Sequence, residues 1–205
     1  IKDLPAPEET EPPKRLPPRK GELNAAAIIA AAQGAGIVDE FDGVPLFQKL
    51  KRLRRLKPNM IVACCFDEDP CTTSAMATLR ENTNAIISGL VLAAQACGAK
   101  ENKIAVATRR EAKIIHKINS QADLIFAGER YPARLLLKKK LFSSGKNAAY
   151  IGAQACAALL AAVDDGDLQT SAVVTVAGDG VEHWRNVRAR IGTPLKDLLE
   201  FCGVS

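Results

Sequence analysis

The stretch MIVACCFDEDPCTTSAMATLRENTNAIISGLVLAAQACGAKENKIAVA, residues 60–107, decides the fold. It opens with MIVACCF (60–66), a short apolar, β-branched run that predicts a buried parallel strand. Thr72, Thr73 or Ser74 then offers a hydroxyl to cap a helix. Met76, Leu79, Thr83, Ile86, Ile87, Leu90, Ala94 and Cys97 recur at helical spacing, and Gly98 tolerates the left-handed turn that ends a helix. KIAVA (103–107) returns as a second strand. Strand, crossover helix and parallel strand form the unit from which α/β sheets are built.

The alternation continues in both directions. Toward the C-terminus come the helix REAKIIHKI (110–118), the strand ADLIFA (122–127), the strand AAYIG (148–152) and the Ala-rich helix AQACAALLAAV (153–163). Toward the N-terminus lies the helix ELNAAAIIAAAQGAG (22–36), ended by Gly34 and Gly36. Residues 22–170 are therefore expected to form an α/β domain, a Rossmann-like, mostly parallel sheet flanked by helices. The pattern changes at residues 171–205, where SAVVTVAGDG and NVRARIGTP read as two strands and PLKDLLEFCG as a short helix starting at Pro194. Residues 1–21 hold six of the eleven prolines and read as an extended linker to something upstream.

Composition narrows the function classes. Apolar residues make up 47% and charged residues 25% of the 205, ordinary for a globular chain with a real core. Aromatics are only 4%, so the core must be aliphatic. No apolar run approaches the roughly 20 residues of a membrane span, and no signal peptide is evident, which predicts a cytoplasmic protein that reaches a membrane only through a complex. The net charge of +5 gathers in KLKRLRRLK (49–57), RLLLKKKL (134–141) and PPKRLPPRK (12–20). Without interleaved aromatics these runs read as solvated helix faces rather than a nucleic-acid surface. The six cysteines form no CxxC pair, which argues for buried, reduced thiols and against an iron–sulfur site in this chain. Cys71, at a helix start, is the thiol expected to react. DDGD (164–167) lacks the spacing of a calcium loop.

The wording VVTVAGDGVEHWRNVRARIGTPLKDLLEFCG (173–203), with RENTNAIISGLVLAAQACGAK (80–100) and RYP (130–132), resembles one family. It is similar to the Rnf-C component of the Rnf electron-transport complex and to the NADH- and FMN-binding flavoprotein of respiratory complex I, including proline reductase-associated and cobalamin reductase relatives. The resemblance covers about residues 20–205. It implies that residues 171–205 begin a soluble-ligand-binding β-grasp module, that a biotin-carrier-like domain precedes the linker and that a 4Fe–4S domain follows.

The resemblance also implies an FMN and NADH site, and there this chain departs from the family. The family's G-L-G-G-A-G-F-P-T…K loop lets bare backbone approach the ligand. Here the loop is DEFDGVPLFQK (39–49): Gly43, Pro45 and Lys49 remain, but Glu40 and Phe41 replace the glycine pair. Two added carboxylates, Glu40 and Asp42, are expected to repel a phosphate. In CCFDEDP (64–70), aligned on Pro70, Asp67 and Asp69 keep acidic positions while Cys64 stands where the family has Asn. The Arg of the following motif is Ala77, the later acid is Thr108, and the Asn-rich approach to the Ala-rich helix is Gly152-Ala153-Gln154. Gly43, Pro45, Lys49, Cys64, Asp67 and Asp69 are thus read as remnants of a flavin and nucleotide site. The expectation is that this chain binds FMN and NADH weakly or not at all.

Two functions follow. In one, the chain is the central part of an electron-transfer protein feeding a reductase or a membrane complex. In the other, it is a non-catalytic scaffold that positions neighbouring redox domains or a partner subunit.

Overall fold

The computed structural model describes residues 1–5, 15–17, 22–69, 71–120 and 122–204. The elements run β1 (Lys2–Asp3), α1 (Ala25–Gly34), β2 (Val38–Asp39), β3 (Val44–Pro45), α2 (Leu46–Leu56), β4 (Met60–Cys64), α3 (Ser74–Cys97), β5 (Glu101–Val106), α4 (Arg109–Ile118), β6 (Leu124–Phe126), α5 (Ala133–Ser143), β7 (Ala148–Gly152), α6 (Ala153–Asp164), β8 (Ser171–Val176), β9 (Arg185–Arg190) and α7 (Leu195–Cys202).

β4, β5, β6 and β7 form a parallel sheet in the order β6-β5-β4-β7. The fold is therefore the mixed α/β, Rossmann-like one that the alternation predicts. All five residues of β4 are buried, as an apolar run without alternation requires of a central strand. Its side chains nevertheless divide by parity. Ile61 and Ala63 enter one core with residues of α1, α2, α3, α4 and α6, whereas Met60, Val62 and Cys64 enter a second with Ala133, Leu137 and Leu141 of α5. The helices are thus unevenly shared between the two faces.

α3 and α6 cross closely because Gly89 has no side chain: a Cβ there would lie 1.8 Å from the Cys156 carbonyl oxygen. α3 is not one uninterrupted helix, since Asn82 leaves helical geometry at φ −124 and ψ 29.

The chain steps from β4 outward to β5 and β6, then returns to the other side of β4 as β7. That reversal makes a switch point between the C-terminal ends of β4 and β7, where Cys64 and Gly152 stand opposite each other. In open α/β sheets, ligands bind at such a crevice. The β2–β3 hairpin, turning through Gly43 at φ +71, lies over it.

β8 and β9 pair antiparallel as expected, and α7 packs against them through Cys202. The N-terminal residues expected as a linker also contribute: Lys2–Asp3 add a third strand parallel to β9. Leu16 packs on the main core, and its amide donates to the Gly166 carbonyl at 2.7 Å. The rest of the expected linker, residues 6–14 and 18–21, lies outside the described residues, as does Pro70.

Candidate functional site

The hairpin loop turns its acids inward. Asp39 is fully buried. Its Oδ1 accepts from the Phe41 amide at 3.0 Å and from the Gly152 amide at 2.8 Å, and its Oδ2 is in contact with Lys49 Nζ. Lys49, on the first turns of α2, is only 4% exposed and also meets Asp42 Oδ2 at 2.9 Å. The cation expected to serve a ligand is therefore held by two carboxylates of its own loop.

Glu40 occupies the start of α6. Gly152, the residue capping α6, has no side chain to satisfy the helix's first amides. Glu40 does so from 114 residues away: Oε1 accepts from the Gln154 amide at 2.6 Å, and Oε2 from the Ala155 amide at 3.0 Å. A helix N-terminus is the usual seat for a phosphate in such folds, through free N–H groups and the positive end of the helix dipole. Here a protein carboxylate takes it. Glu40 is exposed as a residue, yet the space around its carboxylate is crowded: a Cβ on Gly152 would lie 2.2 Å from the carboxylate carbon. Loss of solvent around the carboxylate, then the nearby Asp39 charge, raise its pKa to about 7 against the lowering effect of the two amides.

Phe41 closes the remaining gap. Its ring stacks on Tyr150 of β7, with centroids 5.8 Å apart and planes 16° apart. Arg134 Cζ lies 4.5 Å and Lys138 Nζ 5.2 Å from the ring centroid. Arg134 Nη1 also donates to the Phe41 carbonyl at 2.6 Å, and Glu68 accepts from the Arg134 amide at 3.1 Å. Bulk, charge and hydrogen bonds thus pin the loop tip to the sheet.

The other remnant residues have local duties. Gly43 makes the hairpin turn and Pro45, the last residue of β3, immediately precedes α2. Cys64 is buried at the end of β4, and burial, then the Asp39 charge, push its thiol far up. Asp67 accepts from the Ala75 and Met76 amides at 3.0 and 3.1 Å, so it fills the N-terminus of α3 as Glu40 fills that of α6. Asp69 accepts from the Cys71 amide at 2.8 Å. Cys71 is exposed, whereas Cys64, Cys65, Cys97, Cys156 and Cys202 are buried. Among the described residues no group of His, Cys, Asp and Glu is placed to hold a metal.

A cavity of about 370 Å³ remains beside the loop, at the C-terminal ends of β4 to β6, lined in part by Asp67, Glu68, Asp69, Glu111 and Tyr131. The groups that a phosphate of FMN or of a nicotinamide dinucleotide would use are engaged within the chain: Glu40 holds the α6 amides, Asp39 and Asp42 hold Lys49, and Phe41 stacks on Tyr150 of the edge strand.

The sequence alone points to Glu40, Phe41, Lys49, Cys64 and the Gly152–Gln154 segment, and the structure brings them together. The sequence gives no sign of the parts played by Arg134 and Tyr150, which belong to no motif, or by Glu68, whose neighbours Asp67 and Asp69 alone stand at the family's acidic positions.

The overall shape has known counterparts. The chain superposes on a chain of an NAD+-reducing [NiFe]-hydrogenase in its air-oxidised state, with a TM-score of 0.69 and 18% identity over 88% of this chain and 39% of that one. The H2-reduced state of an NAD+-reducing [NiFe]-hydrogenase gives a TM-score of 0.68 at 17% identity, with the same coverage. The likeness is one of fold, and this chain spans well under half of the other. No protein-family model matches the sequence, and no curated protein does.

Proposed function

We propose that the chain is the central part of an electron-transfer protein, similar to Rnf-C and the complex I flavoprotein, whose α/β domain positions redox partners without holding a flavin or nicotinamide itself. The observation that carries this reading is the Glu40 carboxylate seated on the first turn of α6, with Lys49 already held by Asp39 and Asp42. The groups that would neutralise a cofactor phosphate are bound by the protein's own acids.

Two further observations support the electron-transfer setting. The fold is shared with a chain of a hydrogenase that, by its name, reduces NAD+. The sequence resembles Rnf-C and complex I flavoproteins from about residue 20 to 205, including the wording that opens a soluble-ligand-binding β-grasp module. In this reading the redox centres, including any 4Fe–4S cluster, belong to other segments or subunits, and electrons pass to a reductase or to a membrane complex. None of the described helices is long and apolar enough to cross a membrane.

Titration with FMN, followed by flavin fluorescence, tests the proposal. The purified chain should be colourless and leave the fluorescence unquenched. A dissociation constant near 1 μM, worth about 8 kcal/mol, would overturn it.

A further inference from the structure

The face of the sheet that carries α5 is only partly covered. Ala133, Leu137 and Leu141, at i, i+4 and i+8, point into the core. Leu135, Lys138 and Phe142 line the flank of α5 toward the edge strand β7, and together with Ala148 and Tyr150 they bound a groove of about 860 Å³. Leu135 is 62% and Phe142 83% exposed. Parallel sheets are ordinarily covered on both faces, and this groove runs beside α5 where a second helix on that face would lie.

Charge says what kind of helix. The α5 sequence ARLLLKKKLFS holds four bases and no acid. Lys138 lies over the rings of Phe41 and Tyr150, at 5.2 and 5.6 Å, with no carboxylate partner among the described residues. At the groove's far end Lys146 pairs with Glu101 at 2.8 Å. α2 and α4 of the same chain are themselves basic and so are poor occupants, and α7, which carries Asp197 and Glu200, already packs its apolar side on β8 and β9 through Leu198, Leu199, Phe201 and Cys202.

We propose that this groove docks an amphipathic helix of a partner subunit, apolar on the face that meets Leu135, Phe142 and Tyr150 and acidic along its edges. Such helices seat apolar anchors at i, i+3 or i+4 and i+7 in a groove, and aromatic side chains at its centre carry most of the binding. The surface gives the scaffold reading a place of attachment, and it rests on that reading only in taking the helix to come from a redox partner.

Selection of displayed, surface-randomised helical peptides against the full chain tests the proposal without any cofactor. The enriched peptides should carry an apolar stripe flanked by Asp and Glu, and their binding should weaken as salt rises. Leu135→Asp or Phe142→Asp should each weaken binding about 30-fold, as when a hot-spot contact is lost. Both positions are exposed, so the thermal melt should stay unchanged. Failure to enrich any peptide would overturn the proposal, as would enriched peptides indifferent to both substitutions. Concentration-dependent self-association abolished by Phe142→Asp would also overturn it, by assigning the groove to a second copy.

Discussion

Replacing Glu40 by Ala should unseat the cap of α6 and turn that helix end into an anion site. Two amides, those of Gln154 and Ala155, lose their acceptor, and Gly152 offers no substitute. Loss of a helix N-cap costs about 0.5–2 kcal/mol. Relief of the repulsion between Glu40 and Asp39 returns part of this, leaving a loss of about 1 kcal/mol. For a chain of this size that is a fall in Tm of about 2–4 °C. The melt is best followed by circular dichroism at pH 8, above the raised titration of Glu40, so that the wild-type carboxylate is ionised. Adding inorganic phosphate at constant ionic strength should then separate the two proteins. Phosphate can occupy the freed amides of the variant and stabilise it by RT ln(1 + [L]/Kd), which is about 2.7 kcal/mol at a hundredfold excess over Kd. In the wild type the seat is taken, so only the general salting effect of phosphate remains. The difference between the two responses is the measurement. Equal stability of the two proteins together with equal responses to phosphate would show that Glu40 neither caps α6 nor blocks it.

Four further outcomes are expected. Lys49→Met strands Asp39 as a buried charge, and urea denaturation should show a loss of about 3–5 kcal/mol; a loss below about 1 kcal/mol would mean that Asp39 is satisfied by its amides alone. Gly89→Ala sets a methyl group 1.8 Å from the Cys156 carbonyl oxygen and should cost about 1–3 kcal/mol or more, against a helix-propensity gain of about 1 kcal/mol, so a melt at or above wild type would refute the close crossing of α3 and α6. Thiol alkylation without denaturant should modify Cys71 first and spare Cys97 and Cys156 until unfolding, because burial raises both of the latter; equal rates at all six would contradict the core. Glu40 binds its proton more tightly folded than unfolded, so its contribution is most favourable below its ordinary 4.5 and falls as pH rises to about 7. The stability of the wild type relative to Glu40→Gln should fall across that window, by a small amount because the residue is exposed; a rise would reverse the assigned cause.

What could be read in advance was whatever had a local signature. Strand β4 and its neighbours showed themselves by short apolar runs, α3 by its 3.6-residue spacing and Gly98, and the altered loop by the missing glycines at positions 40 and 41. The change of residues in the loop is legible in the sequence, but what those residues bind within the chain is not. Repulsion of a phosphate is what Glu40 and Asp42 suggest in sequence; Lys49 and the first amides of α6 also need partners. Those partners came from the acids themselves. Arg134 and Tyr150 stayed hidden because Arg134 meets the Phe41 carbonyl from 93 residues away, with no pattern to link them. β1 was equally illegible: two polar residues, Lys2 and Asp3, in a proline-rich setting give no strand signal until β9 provides an edge.

Gln154 has a double role. Its backbone amide holds Glu40, while its side-chain amide donates to the Val173 carbonyl at 2.9 Å and accepts from the Val173 amide at 2.8 Å, completing the edge of β8. One residue is therefore both the latch of the loop and the hinge pin of the second sheet. A ligand that pried Glu40 away would disturb the first turn of α6 and, through the same residue, loosen β8 from the body of the chain. Amide exchange in the loop and in β8 should then quicken together, as a single opening unit. Gln154 thus joins the Thr73 contacts to Thr175 and Asn186 in coupling the crevice at the ends of β4 and β7 to the stance of the module beside it.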